Sequence, residues 1–155
     1  MTNKSKILFL DIDGVLNSDE DWVETQVLGH PYNKGFDHLN RTKIALLELL
    51  IKNTDAKIVL SSTWRKSVSL DTLHRKLVER GSTLKREVFI GVTEELGFCR
   101  GDEIQAYLEE FSPETYAIVD DNDDMLETQA EHFVQTDGTR GLSLADVRLL
   151  SHILK

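Results

Sequence analysis

The chain has 155 residues, of which 40% are hydrophobic and 29% are charged, with one cysteine and a formal net charge of -9 at pH 7. This composition is typical of a single globular domain, which we expect over residues 1–155, and the single cysteine excludes an internal disulfide. In the sequence, no apolar run approaches the roughly 18 residues needed to cross a membrane. With no apolar leader segment in the first residues we expect a cytoplasmic protein. The negative charge would repel a polyanion at long range, so binding to nucleic acid would need a local positive pocket rather than a basic face.

Strand and helix patterns alternate along the chain. A buried strand is predicted at residues 7–10, followed by an irregular stretch over 14–34 and a helix within 40–53. The remaining predictions, in order, are a strand at 58–60, a helix within 69–81, a strand at 88–90, a helix within 102–111, strands at 117–119 and 133–134, and a helix within 143–154. This order predicts an α/β fold with a doubly wound, Rossmann-like parallel sheet of about five strands and helices on both faces.

The irregular stretch at 14–34 directly follows the first strand. Its position favours a small flap over a site at the strand ends, and a surface hairpin with no catalytic part is the alternative. Ser69 and Ser143 are predicted to cap the helices that follow them, and Asp146 stands at capping-box spacing from Ser143.

Polar side chains cluster where the predicted strands end. In such folds ligands bind at the carboxyl ends of the strands, and Arg100 at a helix start would face the same edge. Crowded carboxylates raise one another's pKa unless a divalent cation neutralises them, and oxygen ligands suit Mg²⁺. The predicted metal ligands are Asp11, Asp13, Asp120 and Asp121.

The same residues suit phosphoryl transfer. Asp11 is the candidate nucleophile, which would form an aspartyl-phosphate, and Asp13 the candidate general acid and base. Ser61, Ser62 and Arg100 are the candidate phosphate-binding residues. Both serines could instead end the strand through local hydrogen bonds. The residues leave open which of Asp120, Asp121 and Asp124 bind metal, and Asp123 and Asp124 would also suit the start of a helix.

Four motifs together resemble the haloacid dehalogenase-like (HAD) superfamily of phosphohydrolases: "FLDIDGVLN", "KIVLSS", Arg100 in "CRGDEI", and "YAIVDDNDD". The aspartate two residues after the nucleophile is typical of its phosphatases and phosphomutases, and neither interval where the superfamily inserts lids is long enough for a large cap domain. The segments "LSSTWR", "GVT", "RGDEI", "DDNDDM" and "TDGTRGLS" look like the HAD domain of Swiss Army Knife RNA repair proteins.

This resemblance implies a Mg²⁺-dependent phosphatase acting on RNA or DNA ends or on nucleotides. Asn17, Trp64 and Arg65 are candidate substrate contacts, because an indole can stack on a base and a guanidinium can bind a phosphate. Alternatively, Trp64 packs at the rim and Arg65 pairs with an acid. Other functions left open are a small-molecule phosphatase, a phosphomutase, and a catalytically silent module that binds phosphate or a protein partner.

Overall fold

A computed structural model describes residues 5–28 and 38–155 of the chain. The five strands are β1 (Lys6–Leu10), β2 (Lys57–Leu60), β3 (Phe89–Val92), β4 (Thr115–Asp120) and β5 (Phe133–Gln135). They form one parallel sheet in the order β3-β2-β1-β4-β5. The predicted doubly wound sheet is confirmed, and its strands match the predicted runs to within two residues at each end.

The chain fills the sheet from its centre outwards. From β1 it passes through β2 to β3 on one side, and it then returns to β4 and β5 on the other. The strand order therefore reverses beside β1, and a crevice opens between the carboxyl ends of β1 and β4. The backbone N–H of Asp11 donates to the Val119 carbonyl oxygen at 3.1 Å, which joins the two strand ends at this crevice.

Helices cover both faces of the sheet. These helices are α2 (Arg41–Thr54), α3 (Leu70–Glu79), α4 (Arg100–Phe111) and α5 (Leu144–Ile153), and a further helix, α1 (Asp19–Leu28), follows β1 in the chain. Alternate β1 side chains point to opposite faces, so Leu8 and Leu10 pack with α2, α3 and α5, while Ile7 and Phe9 pack with α4. Ser69 and Ser143 cap α3 and α5 as predicted, and Asp146 completes the capping box.

Helix α1 corrects the prediction of an irregular stretch over residues 14–34. Its large apolar side chains Trp22, Val23 and Val27 are exposed, so it lacks the apolar face that marks a helix in a sequence. The helix is anchored to the rest of the protein by buried Asp21, which makes an ion pair with Lys43 at 3.0 Å and accepts a hydrogen bond from Asn40 at 2.7 Å. Residues 29–34 of the predicted flap lie outside the described residues.

The acidic run after β4 is a second place where the structure differs from what the sequence predicts. Asp123 and Asp124 begin no helix; the chain is irregular there until a short 3-10 helix, Glu127–His132. Asp124 instead accepts hydrogen bonds from the N-terminus of α4.

Within residues 5–28 and 38–155, no helix has the length and apolar character that a bilayer crossing requires.

Candidate metal and phosphate site

Three aspartates meet at the crevice between β1 and β4. Asp11 follows β1, Asp120 ends β4 and Asp121 is the next residue. One carboxylate oxygen from each lies within 4.8 Å of the others. We call Asp11, Asp120 and Asp121 the acidic cluster. The parallel sheet produces it, because adjoining strands bring their carboxyl ends to the same edge.

Burial and mutual repulsion disfavour the charged form of this cluster. Burial and the neighbouring Asp120 charge raise the pKa of Asp11 to about 8, with Arg100 opposing the shift. Burial also raises the pKa of Asp121. The folded chain therefore holds the Asp11 proton more tightly than the unfolded chain, and the metal-free fold loses stability as pH rises from 3.8 through about 8.

Arg100 supplies a positive charge beside the acidic cluster. Its guanidinium lies 2.6 Å from Asp120 Oδ2 and 3.1 Å from Asp11 Oδ1. The Asp124 carboxylate accepts the Arg100 backbone N–H at 3.1 Å, and the Asp124 carbonyl accepts that of Gly101 at 2.9 Å. Asp124 thus fixes the first turn of α4, from which Arg100 reaches the cluster.

Two glycines make room for the Asp121 carboxylate. An ideal Cβ on Gly14 would lie 2.3 Å from Asp121 Oδ2, and one on Gly138 would lie 2.9 Å from the same atom. Gly14 also has a φ of +81°, a conformation that favours glycine. The loop that carries Gly138 therefore sets the position of one member of the cluster.

The serines after β2 have different surroundings. The Ser61 hydroxyl is buried and makes no hydrogen bond to the described residues, so it has a free donor beside the strand ends. The Ser62 hydroxyl accepts the Trp64 backbone N–H at 3.2 Å and caps a short 3-10 helix, Thr63–Lys66. The geometry favours a phosphate contact for Ser61, and for Ser62 it favours the local hydrogen bond.

Asp13 stands apart from the acidic cluster. Its carboxylate accepts the Asn17 side-chain amide N–H at 2.9 Å and the Trp64 indole N–H at 3.1 Å. This geometry does not support the metal role predicted for the Asp13 side chain. It leaves the carboxylate exposed at the rim, where a general acid could reach a leaving group.

Trp64 and Arg65 are both engaged within the protein. Trp64 is only 5% exposed, so its ring faces are not available to stack on a base. Arg65 makes a buried ion pair with both oxygens of Glu103, at 2.9 and 3.0 Å, and donates to the backbone carbonyls of Ser61 and Ser62. The structure favours the alternative in which these two residues pack and pair internally.

A family comparison bears on this site. The model of the family described as the HAD domain in Swiss Army Knife RNA repair proteins matches residues 7–147, which include every site residue described above. The chain belongs to this HAD family. A comparison with curated proteins gives no match. HAD membership supports a phosphohydrolase class of activity, and the acidic cluster is compatible with Mg²⁺.

Sequence reasoning missed three residues that shape this HAD site. Glu103 partners Arg65 across 38 positions, and Gly138 approaches Asp121 from a separate loop. Trp22 lines the cavity beside Asp13 and lies within the stretch that the sequence predicts to be irregular. The position of Glu103 one turn after Arg100 on a helix was the available signal, but many other acids could have paired with Arg65.

Gly138→Ala tests whether the loop that carries Gly138 controls the candidate metal site. The added methyl meets the end of the Asp121 side chain, which can swing aside, so we expect a loss of unfolding free energy below about 1 kcal/mol in EDTA. Because the displaced Asp121 carboxylate is a candidate metal ligand, Mg²⁺ affinity should fall about 10-fold or more. Calorimetric Mg²⁺ titration and urea unfolding measure the two effects.

Gly81→Ala is the matched control for this substitution. Gly81 has a φ of +95° and open space around the position of a Cβ. Alanine there should cost about 1 kcal/mol of stability through backbone strain and leave Mg²⁺ affinity unchanged. Unaltered Mg²⁺ affinity in Gly138→Ala would show that the loop does not control the ligand.

Proposed function

We propose that this protein is a Mg²⁺-dependent phosphomonoester hydrolase that acts through an aspartyl-phosphate on Asp11. The observation that carries the proposal is the meeting of the acidic cluster, the Arg100 guanidinium and the free Ser61 hydroxyl at one sheet edge. Nucleophile, cation site and phosphate donors are then within reach of one bound phosphoryl group.

The donor set of the acidic cluster fits Mg²⁺. It offers oxygen ligands, which this ion prefers, and the raised pKa of Asp11 reflects a concentration of negative charge that a cation would relieve. Asp11, Asp120 and Asp121 would hold the ion. When bound, Mg²⁺ would neutralise charge on the phosphoryl oxygens.

The residues of this chain divide the chemistry between them. An Asp11 carboxylate oxygen attacks phosphorus, the ester P–O bond breaks, and Asp13 gives its proton to the leaving oxygen. Asp13 then takes a proton from water as that water attacks the aspartyl-phosphate, which releases inorganic phosphate and restores Asp11. Arg100 and Ser61 stabilise the charge that develops on the phosphoryl oxygens in both steps.

The location of Asp13 indicates where the leaving group lies. A cavity of about 280 Å³ borders Asp13 and is lined also by Asn17, Trp22 and His38. Since Asp13 protonates the leaving oxygen, the alcohol part of the substrate would occupy this cavity. Trp22 is 52% exposed and offers an aromatic face on which a nucleobase could stack.

We therefore propose a phosphorylated nucleic-acid end or a nucleotide as the substrate. The RNA repair proteins named in the family description support this class, as does the aromatic lining of the cavity. The net charge of -9 opposes long contacts with a phosphate backbone, so recognition would be confined to the terminal nucleotide.

The catalytic proposal is tested by phosphate release from an aryl phosphate. We expect turnover with Mg²⁺, none in EDTA, and a loss of at least about 10³-fold in Asp11→Asn, which removes the nucleophile. Asp71→Asn is the matched control, because that carboxylate pairs with Arg86 on the surface. Unchanged activity in Asp11→Asn would refute the assignment, and tight Mg²⁺-dependent oligonucleotide binding without turnover would identify a silent binding module.

The substrate proposal is tested by replacing Trp22. Stacking of one base contributes about 1 to 3 kcal/mol, so Trp22→Ala should raise KM for a 3'- or 5'-phosphorylated oligonucleotide about 5- to 100-fold. Trp22→Phe should restore most of the affinity, and glycerol phosphate should be hydrolysed equally by all variants. Val27→Ala, an exposed change on the same helix, is the control. An equal effect of Trp22→Ala on both substrates would contradict base stacking.

A further inference from the structure

Trp64 occupies an unusual place beside the proposed general acid. It lies in the short 3-10 helix Thr63–Lys66 that follows β2, and its ring belongs to the main hydrophobic core. Because the ring is packed within this core, its orientation is fixed, and the direction of the indole N–H is fixed with it. That N–H points out of the core to Asp13, 51 positions earlier in the chain.

The contact with Asp13 is symmetrical. The indole nitrogen lies 3.1 Å from each carboxylate oxygen of Asp13, and the Asn17 amide donates to Oδ1 at 2.9 Å. Asn17 is itself held, because its side-chain oxygen accepts the Gly14 backbone N–H at 3.0 Å. Asp13 belongs to the exposed residues, so without these donors its carboxylate would be free to rotate in solvent.

We infer that Trp64 is a positioning residue, which holds the Asp13 carboxylate in the orientation needed for proton transfer, with Asn17 as the second donor. The inference rests on the proposed function, because Asp13 has to exchange a proton with the leaving oxygen and then with water. Trp64 does not touch the substrate phosphoryl group; it acts through Asp13.

Indole is chemically suited to this task. Its N–H is a donor only, so it cannot take the proton that Asp13 transfers. A rigid aromatic donor also fixes the carboxylate at little cost in side-chain entropy, because the ring is already held by the core. A serine or lysine at this position would bring a mobile side chain or a second charge.

The leaving-group dependence of the rate tests this inference. A good leaving group needs no general acid, whereas an alkyl phosphate does. In Trp64→Phe, which keeps an aromatic ring and loses the N–H, kcat/KM should fall about 10- to 100-fold for alkyl phosphates and less than about 3-fold for dinitrophenyl phosphate. In an Asp13→Asn background the same change should have no further effect.

A second variant removes the concern that phenylalanine leaves a gap in the core. Benzothienylalanine at position 64 keeps the two fused rings and replaces only the N–H by sulfur. It should show the same leaving-group dependence as Trp64→Phe with a melting temperature close to that of the wild type. A loss by the same factor on every ester, in both variants, would show that Trp64 has only a structural role and would overturn the inference.

Indole NMR provides a readout that does not depend on activity. The chain has two tryptophans, so the metal-free protein should give two indole N–H signals, which Trp22→Phe assigns. In Asp13→Ala the Trp64 signal should shift and exchange faster with solvent, and its shift should exceed that of Trp22, which lines the same cavity as Asp13. A Trp64 signal indifferent to Asp13→Ala would contradict the contact.

The two proposals fail in different ways. If the wild type hydrolyses none of the esters in Mg²⁺, the proposed function fails and the positioning role fails with it. If the wild type hydrolyses them and the position-64 variants show no leaving-group dependence, the phosphatase proposal stands and the role of Trp64 is wrong.

Discussion

Electrostatic repulsion among three carboxylates is the constraint around which this site is built. The parallel sheet brings Asp11, Asp120 and Asp121 together at its carboxyl edge, with ligand oxygens within 4.8 Å of one another. Burial keeps solvent from screening their charges, as the raised pKa of Asp11 reflects. Arg100 offsets part of this charge, and the remainder makes a cation the natural partner of the cluster.

A layer of contacts behind the cluster keeps its members in place. The buried Arg65–Glu103 ion pair joins the loop after β2 to α4, the helix that begins with Arg100. Removing either partner would leave an unpaired buried charge, which typically costs about 3 to 5 kcal/mol. This pair, the Trp64 indole and the Gly138 backbone each act on a different part of the site. For the proposed phosphoryl transfer, the geometry of the site would therefore depend on residues behind the acidic cluster as well as on the cluster itself.

Local patterns in the sequence predicted much of this arrangement. Strands buried on both faces give continuous apolar runs such as residues 7–10, and the aspartates that end such runs stand out against them. Helix α1 gives no such pattern, because Asp21 anchors it through a polar network while Trp22 is exposed. The contact between Trp64 and Asp13 could not be predicted from the sequence, because the two residues are 51 positions apart. The direction of the indole N–H also depends on how the ring packs in the core.

The most direct test of the central claim is calorimetric titration of the wild-type protein with Mg²⁺ in buffers of different ionisation enthalpy. One ion should bind per chain and displace protons at about pH 6.5, because the metal competes with the proton that the raised pKa of Asp11 retains there. Fewer protons should be released at about pH 9, and Asp120→Asn should abolish binding. No saturable binding, or binding that is unchanged in Asp120→Asn, would contradict a cation site at the acidic cluster.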